Sequence, residues 1–368
     1  MLYYLPLEPY VERYTYMMSS VNGWAEHHFK NNNVPFVRID GDILSDSINC
    51  GVVLDACGRS YYAQSQINKV IKLLNDKKIT ENDTIYVEDF WHPGIESLFY
   101  IRHLTKTNFK IGTFLHAQSV DDTDFAYNMK DWMRPIEIGY GKQYDYIFVT
   151  SAILKNLCIK AGIGTEESIH NIGLPYNSTR LVEQLAERGI NVQQEISKKE
   201  NYVLFSSRFD DEKDPMFFLD LVESCPDINF KLVNPRKTIT SNKEVLKRLS
   251  KVVENCPNFE LVDTKIKENY YKTLAHAKVQ FNCAHQDWVS WTLLEAITFK
   301  CIPLYPIWKD FPVELHNDPK YLYIKRDLED CKKKLYNLMD SDFDESLNYI
   351  VQKHDDSWPN YLKTMNLI

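Results

Sequence analysis

The stretch VQFNCAHQDWVSWTLLEAITFKCIPLYP, Val279–Pro306, carries a complete local plan. An apolar run ending near Cys283 reads as a buried strand, a polar loop follows, and Ser290 stands where an N-cap would precede a helix over residues 291–299. The apolar run from Cys301 to Pro306 then reads as the next strand. Strand, helix and strand in this order predict a βαβ unit with parallel strands.

Working outward, the same alternation fills the chain. In the first half the strand candidates are VPFVRI (34–39), TIYVEDF (84–90), FKIGTFLHA (109–117) and YDYIFVTS (144–151), separated by helical patterns such as Gln64–Asn75 and Ile95–Thr105. In the second half YVLFSS (202–207), NFKLVN (229–234) and FELVD (259–263) precede the opening stretch. This is an α/β pattern of parallel sheets, and 368 residues exceed the roughly 250 to 300 at which one core stops growing. Two doubly wound, Rossmann-like domains facing a central cleft are expected, at residues 1–190 and 191–345, with the polar segment AERGINVQQEISKKEN near the boundary. The last residues, 346–368, read as a helical segment that would cross back to the first domain.

Composition excludes several classes. A net charge of -8 speaks against a surface coated with phosphate-binding side chains. The eight cysteines, at 50, 57, 158, 225, 256, 283, 301 and 331, form no CxxC pair and predict neither a zinc site nor a disulfide framework. Cys283 and Cys301 lie in apolar runs and read as buried thiols in a reducing cytoplasm. No stretch approaches the roughly 18 apolar residues a membrane span needs, and the amino terminus does not read as a signal peptide.

Chemistry concentrates at two loops. In SSRFDDEKDP, Ser206–Pro215, Arg208 and Lys213 follow a strand and precede a helix, so they would lie at the carboxyl edge of the second sheet and hold an anion there. The plainer alternative pairs them with Asp210, Asp211 and Glu212. In the opening stretch the amides of Ser290, Trp291 and Thr292 would begin a helix and favour an anion, while Asp287 and Glu295 would flank them. Two carboxylates beside an anion-binding amide cluster suit a ligand with hydroxyls near a phosphate, such as a nucleotide sugar.

The spacing of Asp287 and Glu295, followed by CIPLY, resembles the acid-x7-Glu motif of retaining glycosyltransferases of the GT-B fold, and SSRFDDEKDP resembles their GR-x4-K loop. FLHAQ (114–118), YDYIFVTSAILKNL (144–157) and IHNIGLPYNSTRL (169–181) are similar to further segments of that family, in the same order. The resemblance implies that Arg208 and Lys213 neutralise a leaving diphosphate, Glu295 binds ribose hydroxyls, and Asp287 binds hydroxyls of the transferred sugar. It also implies that His116 faces the donor sugar and that no metal or other cofactor is needed, with a UDP-sugar favoured as co-substrate. The chain departs from the pattern in having Asp rather than Glu at 287 and WVS in place of a small GFG segment, so Trp288 and Val289 would narrow the sugar pocket.

Several patterns compete. Asp40 and Asp42 in RIDGDI match the Asp-x-Asp of metal-dependent transferases formally, and His27 and His28 read as surface or packing histidines. Acceptor groups are sought in the first domain, where charges that look exposed lie beside aromatics: Glu8, Arg13, Asp55, Arg59, Tyr61, Tyr62, Glu88, Asp89, Trp91 and His92. Arg59, Asp89 and Trp91 are the acceptor-binding candidates. The basic stretch KLVNPRKTITSNKEVLKRLSK (231–251) would meet a polyanion or simply be solvated. The opening YYLPLEPYVERYT is similar in style to transferases of tailed bacteriophages, which implies a hydroxymethylated pyrimidine in phage DNA as acceptor, within a host cytoplasm. The alternatives are a glycan, lipid-linked or small-molecule acceptor, a nucleotide-sugar epimerase or hydrolase of the same fold, and a silent binding protein.

Overall fold

The computed structural model describes residues 1–10, 13, 15–44, 55–116, 118–234, 239–264 and 266–368. Cys50, Ala117, the Pro235–Thr238 part of the basic stretch, Val53 and Leu54, and Val11, Glu12 and Tyr14 of the opening segment lie outside the described residues.

The chain divides into two compact units, one of residues 1–175 and 356–368, the other of residues 176–355. The division follows Pro175, earlier than the expected 190, because the helices Ser178–Glu187 and Val192–Ile196 fold with the second unit.

The first unit is built on a sheet of β1 (Leu2–Leu5), β2 (Phe36–Arg38), β3 (Thr84–Val87), β4 (Lys110–Phe114), β5 (Tyr146–Val149) and β6 (Ile169–Asn171). Their order is β2-β1-β3-β4-β5-β6, and every neighbouring pair is parallel. The central strands β1 and β3 are buried at every position, as expected where helices cover both faces of a parallel sheet. The last residues return to this unit through the helix Ser357–Thr364. Ser357 Oγ donates to Leu174 O (2.9 Å) and Tyr361 to Gly173 O (3.0 Å), while the fully buried Trp358 packs edge-on to Phe29. His28 stacks on the same indole at 5.0 Å and is a packing histidine.

The second unit holds β7 (Glu200–Phe205), β8 (Asn229–Asn234), β9 (Phe259–Asp263), β10 (Ala277–Phe281), β11 (Ile302–Pro306) and β12 (Leu322–Tyr323). Their order is β12-β11-β10-β7-β8-β9, again parallel throughout. Read from β9, this is the 3-2-1-4-5-6 order of a dinucleotide-binding sheet, so β7 and β10 flank the point where the winding reverses. In the first sheet the reversal falls between β1 and β3. At such points the two loops leaving the carboxyl ends of the strands diverge and open a crevice for ligands. The α/β fold of two Rossmann-like units expected from the sequence is the observed one.

Candidate active site

At the reversal in the second sheet, the loops after β7 and β10 are stitched together. His285 N donates to Glu212 O (2.9 Å), and the buried Cys283 thiol approaches Lys213 O (3.2 Å). A single turn of 3-10 helix, Asp211–Lys213, leads into Asp214, whose left-handed backbone (φ 51°) starts the helix Pro215–Ser224 abruptly. Asp214 then accepts from Arg326 Nε (2.8 Å) and lies 3.0 Å from His285 Nε2, contacts that hold its carboxyl below the usual range against the opposing effect of burial.

This framework decides where the sequence-predicted groups go. Lys213 is only 7% exposed, and its ammonium donates to Asp287 Oδ1 at 2.5 Å, although 74 residues separate the two. Arg208 points more to solvent, its side chain 43% exposed, and pairs with Glu212 at 2.6 Å and more loosely with Asp210 at 3.8 Å. The two cations expected to share an anion are thus each held by a carboxylate, and the plainer alternative holds for Arg208 but not for Lys213.

Ser290 occupies the N-cap position of the helix Trp291–Thr298, with extended backbone, but its hydroxyl bonds Thr292 Oγ1 (2.7 Å) rather than a backbone amide. Thr292 Oγ1 also lies 3.3 Å from the Tyr305 hydroxyl. One turn along, Glu295 accepts from Tyr270 (2.5 Å) and Tyr271 (2.9 Å), neighbours on the helix Lys267–His276. Burial raises the Glu295 carboxyl above its ordinary value in spite of nearby Lys267 and both phenols. Trp288 is half-buried, with Lys309 Nζ 4.5 Å from its ring centroid; the same ammonium donates to Gln286 O (2.7 Å), so the loop that replaces the small segment is braced.

Tyr270, Tyr271 and Tyr305 were not singled out by sequence reasoning. Tyrosines 270 and 271 are adjacent in a helix, where neighbouring side chains diverge, so only the folded arrangement reveals that they converge on one acceptor.

In the first unit the charges expected to be exposed are largely internal. Glu8, Arg59, Glu88, His92 and Tyr62 are buried, because they lie at the carboxyl ends of central strands or on the helix Ala56–Asn75 that covers them. Glu8 holds two arginines, Arg59 at 3.1 Å and Arg13 at 3.2 Å, and Arg59 reaches Asp89 at 3.4 Å. Asp89 also caps Trp91 N (3.1 Å), and the Trp91 ring packs against Trp132 and Tyr140. Arg59, Asp89 and Trp91 therefore form one cluster beside the β1/β3 reversal. Glu88 is instead a tie within the fold, accepting from Tyr4, Leu7 N (2.7 Å) and Ser19 (2.5 Å). His116, past the end of β4, donates Nε2–H to Glu88 O at 2.8 Å, and burial lowers its affinity for a proton.

Other candidates are absorbed by packing or pairing. Asp40 bonds Arg38 and Asp42 bonds Lys69. In the described part of the basic stretch, Arg248 is paired with Asp220 and Glu223.

His92 yields a pH prediction. Gln66 spends its amide N–H groups on Pro6 O and Ile39 O, so its oxygen must accept from His92 Nε2–H at 3.0 Å, and the other ring nitrogen is buried without a partner among the described residues. Burial, and then Arg59, pull the imidazole pKa from 6.5 to about 3. Between these values the unfolded chain binds a proton that the folded one refuses, so stability falls on acidification by about 1.4 kcal/mol per pH unit. Urea unfolding followed from about pH 6 to about pH 4 should show a slope shallower by that amount in His92→Gln; identical slopes would refute the assignment.

Comparison with known proteins sets this geometry in context. No protein-family profile matches the chain, and no curated protein is significantly similar to it in sequence. Solved structures do match. α,α-Trehalose 6-phosphate synthase from Burkholderia multivorans superposes with TM-score 0.67 at 10% identity, over 99% of this chain and 96% of that one. Sucrose-phosphate synthase from Thermosynechococcus elongatus does so with TM-score 0.64 at 12% identity, over 100% and 96%. The GtfA/B complex matches with TM-score 0.53 at 12% identity, over 83% of this chain, which spans 61% of that one. At such identities the likeness establishes the fold, that of GT-B glycosyltransferases.

Proposed function

We propose that the protein is a glycosyltransferase that moves a sugar from a nucleotide diphosphate, with UDP favoured, to an acceptor hydroxyl. The observation that carries the proposal is the meeting of Lys213 and Asp287 at the winding reversal of the second sheet, beside the amino end of a helix that bears Glu295. A buried ammonium, the first amides of that helix and the guanidinium of Arg208 would receive a diphosphate. Glu295, already oriented by two phenols, would take ribose hydroxyls, and Asp287 the hydroxyls of the sugar. His116 would contact the donor sugar, and Arg59, Asp89 and Trp91 the acceptor.

The reaction breaks the bond between the anomeric carbon and the diphosphate oxygen and forms one from that carbon to the acceptor oxygen. The acceptor's proton passes to the departing phosphate oxygen on the same face, which gives retention. Negative charge grows on the diphosphate as the bond breaks, so cations fixed there stabilise the transition state more than the ground state. Because Arg208, Lys213 and the helix amides supply this positive charge, the reading needs no metal.

The test is a panel of UDP-, GDP- and ADP-sugars against hexoses, glycans, lipid-linked sugars and hydroxymethylated DNA, each with and without EDTA. Turnover with an acceptor, insensitive to EDTA and lost in Asp287→Ala while nucleotide binding persists, is the expected result. Turnover without any acceptor would favour a hydrolase or epimerase, and survival of transfer in Asp287→Ala would remove the sugar-facing role of that acid. The DNA arm decides whether the acceptor suggested by the opening segment is the right one.

A further inference from the structure

We propose that Asp287 makes the donor site select the intact sugar nucleotide over the nucleoside diphosphate left after transfer, by occupying Lys213 whenever no sugar is present. This rests on the transferase reading above and adds a division of labour within its donor site.

The two cations of the site differ in how easily they change partners. Arg208 is paired with carboxylates of its own loop and is well exposed, so water can take over either partner's role. Lys213 is buried, and Asp287 is the carboxylate on its ammonium, at 2.5 Å. A phosphate oxygen gripped by the same ammonium at ordinary charge-assisted distance would stand within about 5 Å of the Asp287 carboxylate. At that separation two negative groups in a partly dehydrated site repel each other, whether the ammonium bridges them or changes hands. The side chain of Asp287 is 22% exposed, so water only partly compensates for the lost ion pair.

An intact donor brings its own compensation. Sugar hydroxyls next to the diphosphate donate hydrogen bonds to the carboxylate, which then has partners while the ammonium turns to the phosphates. Once the sugar has left, the carboxylate and the diphosphate again compete for one ammonium. The same acid that would orient the sugar would therefore expel the product.

Isothermal titration of UDP, GDP and ADP, each alone and as its glucose conjugate, tests this on the wild type and on Asp287→Asn, Asp287→Ala and Asp220→Asn. The last removes a carboxylate from the same unit that pairs with Arg248 on the surface, and it controls for net charge. For the nucleotide that binds, Asp287→Asn and Asp287→Ala should tighten the free diphosphate about five- to tenfold and leave the glucose conjugate unchanged or weaker, with Asp220→Asn unaltered. If the wild type binds a nucleotide but neither Asp287 variant tightens the diphosphate, or Asp220→Asn tightens it equally, the selection role is overturned and the transferase reading stands. If the wild type binds none of the six compounds, both fall together.

Discussion

Lys213→Met is expected to lower kcat/KM for transfer by about a hundred- to a thousandfold, the usual cost of removing one preorganised group that stabilises developing charge. Methionine keeps the apolar stem that the loop buries and removes only the ammonium, so the loss reports charge rather than packing. Asp287, partly exposed, is left without its cation, and a destabilisation of about 1 kcal/mol is the expected accompaniment. Steady-state kinetics together with thermal unfolding separate the two effects. Activity within threefold of the wild type, in a variant that melts normally, would show that the diphosphate is not held at Lys213.

Glu295→Ala is expected to weaken nucleotide binding by about 2 to 3 kcal/mol, or some 30- to 150-fold, because charge-assisted bonds to two hydroxyls are lost at once. It should also lower the unfolding temperature, since the phenols of Tyr270 and Tyr271 lose the acceptor that both now use. An unpaired buried hydroxyl costs about 1 to 3 kcal/mol. Adding Tyr271→Phe to Glu295→Ala removes one of these orphans, so part of the stability should return while the affinity does not. Calorimetric titration and differential scanning calorimetry check the two limbs. If affinity and stability recovered together, Glu295 would be a structural acid with no ligand role.

Much of this candidate site is legible in the sequence. The Asp287 to Glu295 spacing, the Arg208 to Lys213 spacing and the helix starting after Ser290 are local features, and local sequence periodicity is what fixes strands, loops and helix starts. NFKLVN and FELVD coincide with β8 and β9 to the residue. β1, β6 and β12 lack such runs: Pro6 closes β1 at once, β6 carries His170 and Asn171 in its three residues, and β12 is only two residues long. The first-unit charges were misjudged for a related reason. Glu8, Arg59 and Glu88 are polar in sequence, and only partners brought by the fold make their burial tolerable, Arg59 for Glu8 and the Tyr4, Leu7 N and Ser19 donors for Glu88.

From the sequence alone came the α/β alternation, the two-domain size and the placing of both chemical loops at carboxyl ends of strands, since each depends on residues close together in the chain. The tertiary structure alone decided that β10 lies beside β7, that Lys213 meets Asp287, that two tyrosines converge on Glu295, and that the chain divides after Pro175. Those outcomes depend on strand order and long-range burial, which are properties of the whole packed sheet rather than of any segment.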